Sequence, residues 1–231
     1  MLSDSAENYI KAIQGLQQRH EQAPTKRIAE ALSVTMPSVT SMLKRLVADG
    51  LIEHKPYKGV ALTPRGHRIA SDILRRHRLL ELLLHRTLNV PWDEVHQYAE
   101  KMEHTIDERM AERIDAFLGF PTQDPHGSPI PQPAQKPALP KGVPLDQVDP
   151  GTHVRLLEVP DKDPEFLRYL SRLNLMIGTE VLVDQRVPYH DSLMLRLGDQ
   201  RIPLGREMAA LIRVEPCMPT RHLGKKSGGA A

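Results

Sequence analysis

Four side chains between residues 95 and 104 could do chemistry together. In the stretch VHQYAEKMEH, His96, Glu100, Glu103 and His104 stand at relative positions 0, 4, 7 and 8. That spacing gathers residues onto one face of an α-helix, the face an amphipathic helix ordinarily makes apolar. Here it carries two imidazoles and two carboxylates, nitrogen and oxygen donors in one stripe, which is the chemistry of a metal site. A second pair, His77 and Glu81, is spaced i, i+4 among leucines, where an unpaired carboxylate is costly. A solvated face or an intrahelical ion pair would account for His77 and Glu81 equally well. Imidazoles with several carboxylates and no thiolate suit Mn2+, Fe2+ or Zn2+, and an oxygen-rich set leans towards Mn2+.

The elements that must position these donors can be read next. Thr63-Pro64 opens a long helix, with threonine as cap and proline in the first turn, and its pattern runs to about Leu88. Asn89-Val90-Pro91 breaks it, and a helix from Trp92 through His104 follows. Thr105-Ile106-Asp107-Glu108 reads as a capping box for a further helix ending at Gly119. Antiparallel packing of the first two would supply His77, Glu81 and His96 at one level and Glu100, Glu103 and His104 at another. Leu79, Leu80, Leu82, Leu83 and Leu84 exceed what one buried face needs, so part of that stretch is expected to meet a second subunit. His54, His67, His126 and His190 have no partner pattern and receive no role.

Upstream, Ala6, Tyr9, Ile10, Ile13 and Leu16 mark a helix over residues 4–19. The segment TKRIAEALSVTMPSVTSMLKRLVADGLIEH then predicts a helix capped by Thr25 and ending at Leu32, a turn at Ser33-Val34-Thr35, and a second helix from Met36-Pro37 to a stop at Gly50. LIEH (51–54) and VALT (60–63) read as strands around a turn. Two helices and a basic hairpin make a winged helix-turn-helix. From Thr25 to Arg68 there are eight basic residues (Lys26, Arg27, Lys44, Arg45, Lys55, Lys58, Arg65, Arg68) against three acidic ones (Glu30, Asp49, Glu53), the local surplus of a phosphate-binding surface. Thr35, Pro37, Ser38, Ser41 and Lys44 would face base edges. Arg27, Lys44, Arg45 and Lys58 would contact phosphates and set the register.

Downstream, eight prolines fall between Pro121 and Pro144, a density that predicts an extended, polyproline-like connection. Residues 145–217 then read as β-rich, with THVRLLEV, TEVLVDQRV, SLMLRLG, RIPLG and AALIRV as strands and a short helix at 164–173, which suggests a small barrel. The polar, glycine-rich tail over 218–231 is expected to be disordered. The predicted division is 1–70, 71–120, 121–144, 145–217 and 218–231: DNA-binding domain, helical metal and dimer domain, linker, β domain and tail.

Composition agrees with this outline. At 231 residues with 40% apolar content the chain can bury real cores. A net charge of +2 leaves the DNA signal to local clustering, and 4% aromatics argue against base stacking. A single cysteine, Cys217, excludes a disulfide framework and thiolate zinc fingers, and fits a reducing cytoplasm. No apolar run approaches the roughly 20 residues of a membrane helix.

Three motifs carry a resemblance: IAEALSVTMPSVTSMLKRLVADGLI, RRHRLLELLL followed by VHQYAEKMEH, and PHGSPIP. Across about residues 4–217 the chain resembles the diphtheria-toxin-repressor family of iron- and manganese-dependent transcriptional regulators. The resemblance implies a mainly α protein with a C-terminal SH3-like barrel. It also implies a homodimer that binds palindromic operators when metal-loaded and usually represses metal uptake. Carried over by position, it implies a primary site at Asn8, Glu100, Glu103 and His104, with His77 bridging towards it. An ancillary site follows at His77, Glu81 and His96, with further donors among Asp161, Asp163 and Glu165.

Two departures stand out. Glu100 is the manganese-type choice where iron-type members have cysteine. Asn8 stands where methionine or aspartate is usual, and Lys11 where manganese types carry a glutamate, so a second metal bridged through that position does not carry over. Mn2+ is therefore the expected metal, with Fe2+ the alternative. Two other classes remain on the residues alone. One is a metalloenzyme tethered by its N-terminal module, although no separate nucleophile, base or substrate-shaping glycine loop is present. The other is a winged-helix regulator of an organic ligand with structural His/Glu stripes.

Overall fold

The computed structural model describes residues 2–20, 23–55, 59–132, 141–187 and 191–218. The chain divides into two compact units, 1–139 and 140–231.

The first unit opens with α1 (Asp4–His20), α2 (Thr25–Leu32) and α3 (Met36–Ala48), followed by the hairpin β1 (Ile52–Lys55) and β2 (Gly59–Leu62). Its core joins Ile10 and Ile13 of α1, Ile28 of α2, Val39 and Leu46 of α3, and Ile73 of the next helix, all fully buried. Ser33 turns the chain between α2 and α3 in the left-handed region, at φ 53°. The two strands pair antiparallel from Ile52↔Leu62 to Lys55↔Gly59, and a bridge from Ala23 to Val60 extends the sheet. This is the predicted winged helix-turn-helix; the wing tip with Lys58 lies outside the described residues.

Helix α4 (Pro64–Leu88) follows with the expected cap, since Thr63 Oγ1 accepts from the Gly66 amide at 3.1 Å. A Cβ added at Gly66 would stand 2.1 Å from the Leu51 carbonyl oxygen. Only glycine lets the first turn of α4 press on the base of the wing. The helix that carries His77 and Glu81 is thereby seated directly on the DNA-binding module.

Helix α5 (Val95–Met102) stops earlier than its spacing predicts. Glu103 is its C-cap, still in helical conformation with its amide donating to the Ala99 carbonyl, and His104 follows in the turn beyond. Helix α6 (Glu108–Phe117) is capped by Asp107, whose side chain accepts from the Met110 amide. The cap is therefore two residues later than the Thr105 box implied. Leu79, Leu80 and Leu82 are buried within this unit in one cluster with Ala99, Ala111, Ile114 and Ile130, Leu83 packs against it, and Leu84 is buried too. The excess leucines thus close the subunit's own core, correcting the expectation that they face a partner. The exposed large apolar residues described in this region are instead Leu88, Tyr98, Met102, Met110, Phe117 and Phe120.

Residues 121–132, expected to be an extended connection, form a compact loop. Gln123 bridges Pro129, and Asp124 Oδ1 accepts from the amides of His126 (2.8 Å) and Ser128 (3.0 Å). The carboxylate supplies acceptors for loop amides that have no regular ladder. Arg78 of α4 donates to the Pro129 carbonyl and lies 3.5 Å from Asp124. Asp124, His126 and Ser128 are buried as a result. Residues 133–140 lie outside the described part.

The second unit is a six-stranded antiparallel sheet in the order β3-β8-β4-β5-β6-β7. Its strands are β3 (Val143–Pro144), β4 (His153–Glu158), β5 (Glu180–Val187), β6 (Ser192–Leu197), β7 (Gln200–Gly205) and β8 (Arg213–Pro216). Leu156, Leu167, Leu170, Val183 and Leu195 fill its core. Helix α7 (Pro164–Arg172) packs there, and α8 (Arg206–Leu211) takes up the first half of AALIRV, so the last strand begins only at Arg213. The SH3-like reading holds for this unit. The tail from 219 onward lies outside the described residues. Among the described residues no helix is long and apolar enough to cross a membrane.

Candidate metal centre

The donors converge because α1 and α5 both pack on α4. Near the N-terminus of α1, Asn8 Oδ1 is 3.0 Å from His104 Nε2, and Glu7 Oε2 is 2.8 Å from His104 Nδ1. Glu7 also accepts from Arg76 at 3.0 Å. Asn8 and His104 therefore meet as expected. Glu7 had no sequence signal beyond its place beside Asn8 in the first turn of an amphipathic helix.

One helical turn deeper, Glu103 is fully buried. Its Oε2 is 2.5 Å from His77 Nδ1, and His77 Nε2 is 3.0 Å from Glu81 Oε1. His96 Nδ1 lies 3.0 Å from His77 Nε2 and 3.1 Å from Glu81 Oε1. The two predicted levels are thus one continuous cluster, with His77 at the joint. Carboxylate oxygens face both nitrogens of His77, so the metal-free ring holds two hydrogens. Burial opposes that charge, but Glu81 and Glu103 outweigh it and raise His77 to about 9. Burial likewise opposes ionised Glu81, yet His77 and His96 hold its carboxyl well below the usual range.

Glu100, expected beside Glu103 and His104, turns to Lys11. The Lys11 ammonium is 2.7 Å from Glu100 Oε1 and 2.9 Å from both oxygens of Glu103. Burial would raise the Glu100 carboxyl, but Lys11 holds it below its ordinary value.

A donor group that sequence reasoning missed lies at the other end of the cluster. Glu81, Asp124 and His126 are all buried, and one ligand atom from each lies within 4.8 Å of the others. His126 Nε2 is 2.7 Å from the Trp92 carbonyl oxygen. A carbonyl only accepts, so Nε2 carries a hydrogen, and the neutral ring offers Nδ1 as a lone-pair donor. That Nδ1 and Glu81 Oε2, 3.9 Å apart, are buried atoms without a hydrogen-bond partner. A cation held between these two buried atoms would satisfy both, so the residues fit a divalent metal. Ring stacking of Trp92 on His126, with centroids 5.8 Å apart, holds the imidazole in place. PHGSPIP was the only sequence signal for this group, and it read as linker.

Asp163 and Glu165, expected as further donors, belong to the C-terminal unit. Asp163 is the cap of α7, accepting from the amides of Glu165 and Phe166. Glu165 is exposed in the first turn of that helix.

On the opposite module, α3 buries Val39, Leu43 and Leu46 and leaves Thr35, Pro37, Ser38, Ser41, Lys44 and Arg45 exposed, together with Arg27 of α2. The Thr35 and Ser38 hydroxyls are 2.9 Å apart. A short polar surface flanked by cations suits a DNA groove.

Comparison with known proteins agrees with this arrangement over most of the chain. Residues 1–60 match the family model "Iron dependent repressor, N-terminal DNA binding domain", and 63–132 match "Iron dependent repressor, metal binding and dimerisation domain". Residues 143–216 match the FeoA domain. The iron-dependent repressor IdeR of Mycobacterium tuberculosis is 33% identical over 231 residues, covering 93% of this chain and 98% of that protein. The diphtheria toxin repressor of Corynebacterium efficiens is 28% identical, covering 93% of this chain and 96% of that protein. Among solved structures, a manganese-dependent transcriptional repressor in complex with manganese superposes with a TM-score of 0.84 at 32% identity, covering 92% of this chain and all of the other. The manganese regulator SloR gives 0.77 at 32% identity, covering 92% and 98%. With a winged helix at one end, buried His and Glu donors in the middle and an SH3-like unit at the other end, the chain belongs to the iron-dependent repressor family, whose members are metal-dependent, dimeric, DNA-binding transcriptional repressors and not enzymes.

Proposed function

We propose that this chain is a cytoplasmic, manganese-responsive repressor of metal-uptake genes, with Fe2+ as the alternative metal. The observation that carries the metal reading is the pair of buried, unpartnered donor atoms on Glu81 and His126 beside Asp124. The donor set is rich in carboxylate oxygen and holds no thiolate, which supports Mn2+. Glu81, Asp124 and His126 are the residues best placed to hold it, with His77 and His96 next to them. Asn8, Glu7 and His104 form a second donor group, and Glu100 and Glu103 lie between the two.

A bound divalent cation would take up the Glu81 and His126 atoms that have no hydrogen-bond partner, with Asp124 beside them. The chain's own contribution is to couple that group to α4, which is seated on the wing through Gly66, and to α1, which shares the winged-helix core. Holding α1, α4 and α5 in one arrangement fixes the angle at which each α3 is presented. A dimer then matches the half-sites of a palindromic operator, about 34–36 Å or a multiple of it apart. Linkage requires operator DNA to tighten metal binding by the same factor.

In this reading residues 1–70 bind DNA, 71–120 hold metal and join the subunits, and the connection over 121–144 adds Asp124 and His126. Residues 145–217 form the SH3-like unit. Thr35, Pro37, Ser38, Ser41 and Lys44 read base edges, while Arg27, Arg45 and Lys58 hold phosphates. Met110 and Phe117, seven residues apart on one face of α6, are exposed together with Phe120, and they supply the dimer contact.

The test is a DNA-binding titration of metal-free protein with Mn2+, Fe2+ and Zn2+ in turn. Operator binding at the lowest free concentration with Mn2+ is expected at matched occupancy. Activation by Fe2+ alone would select the alternative, and binding unaffected by any metal or chelator would overturn the reading.

A further inference from the structure

Lys11 occupies a position that its surroundings define as a cation site. Its ammonium touches Glu100 Oε1 at 2.7 Å, Glu103 Oε1 and Oε2 at 2.9 Å, and His77 Nδ1 at 3.3 Å. The acceptors are the two carboxylates, from α5 and the turn beyond it, and the His77 ring of α4 borders the ammonium on a third side. Without the lysine, His77, Glu100 and Glu103 would themselves form a candidate metal triad, with one donor atom from each lying within 4.8 Å of the others. The ammonium therefore sits among donor atoms as a metal ion would, but on a tether from α1.

The energetics favour permanent occupancy. Glu103 is fully buried, and the Lys11 side chain is only 15% exposed. A buried carboxylate beside a second one needs a compensating charge in every state of the protein. A side-chain ammonium meets that need without depending on metal supply. It also competes with any free cation for the same oxygens at the high effective concentration of a tethered group.

We propose that Lys11 is a built-in cation that fills the His77–Glu100–Glu103 position, so that this position never takes a metal and the signal is read by the remaining donors. The N-terminal helix is then pinned to α4 and α5 before metal arrives. Only the Glu81–Asp124–His126 group and the Glu7–Asn8–His104 group answer to metal concentration. This assignment rests on the metal-responsive reading above, and its test separates the two.

The experiment counts Mn2+ bound per subunit, by equilibrium dialysis with elemental analysis, for the full-length wild type, Lys11→Met and Lys11→Glu. Thermal melts of each metal-free protein establish that it is folded. Lys11→Met removes the charge and keeps most of the stem, and Lys11→Glu adds a carboxylate to the vacated triad. Both variants are expected to bind one more Mn2+ per subunit than the wild type. Lys11→Glu should bind the added ion at least about tenfold tighter than Lys11→Met does. Amide exchange in α1 of the metal-free protein should be faster in Lys11→Met than in the wild type, and Mn2+ should restore protection. Equal stoichiometry in all three proteins would overturn the assignment of Lys11 while leaving metal-gated DNA binding standing. Absence of Mn2+ binding in all three would overturn both.

Discussion

Glu81 Oε2 and His126 Nδ1 face each other across 3.9 Å inside the first unit, both buried and neither hydrogen-bonded. One comes from the middle of the longest helix and the other from a proline-rich loop. Their other polar atoms are fully used, on His77 and His96 in one case and on the Trp92 carbonyl in the other. With the His126 ring neutral, both atoms offer lone pairs to the same space, the arrangement that holds a cation.

His126→Ala should therefore weaken Mn2+ binding by more than the roughly 10–100-fold typical of losing a residue that only supports a ligand. Titration calorimetry of the metal-free variant checks this. Retention of the wild-type affinity would remove His126 from the site.

Metal-free stability should fall as pH rises from about 6.5 to about 9. The folded His77 is raised to about 9 from an ordinary 6.5, because Glu81 and Glu103 outweigh burial. A group whose pKa is raised on folding stabilises fully below its unfolded value, and that contribution is lost as pH climbs through the folded one. The shift corresponds to a few kcal/mol at roughly 1.4 kcal/mol per pKa unit. Thermal melts of metal-free protein at pH 6 and 9.5 read the effect, and His77→Gln should flatten it.

Asp115→Ala should cost about 3–5 kcal/mol. Arg75 of α4 and Asp115 of α6 form a buried ion pair at 2.7 Å, and deleting the acid strands a buried guanidinium. Denaturant unfolding measures the loss. Replacing both residues by apolar ones should recover much of it.

Arg45→Ala should weaken operator binding at every sequence alike and lower the slope of log affinity against log salt by about 1. Arg45 is exposed on α3 beside the short polar residues. A change in base preference without a change in slope would move Arg45 from phosphate contact to base reading.

Phe117→Glu should shift the protein from dimer to monomer in analytical ultracentrifugation and abolish tight operator binding. Phe117 is 69% exposed, so a charge there is tolerated by the fold. A variant that stays dimeric would place the contact elsewhere.

Local rules in the sequence determined the winged helix-turn-helix, the reach of α4 and the choice of donors. Thr63-Pro64, Gly50 and the 3.6-residue spacing of Val39, Leu43 and Leu46 act within a few residues of themselves, so no distant contact was needed to read them. The presence of His77, Glu81, His96, Glu100, Glu103 and His104 was equally plain, because donors on a face that should be apolar are visible in one dimension.

Which donors meet was decided only by tertiary packing. The two expected sites join at His77 because α5 packs on α4 so that Glu103 reaches His77 Nδ1 while His96 reaches Nε2. The excess leucines of α4 face inward because a short proline-rich loop folds over them with Ile130, a long-range closure that proline content alone argued against. The same closure brings His126 to Glu81. Lys11, read only as the absence of a carboxylate, sits among the oxygens as a cation because α1 and α5 both pack on α4. Spacing places residues on a helix face, but only the crossing of helices determines what that face meets.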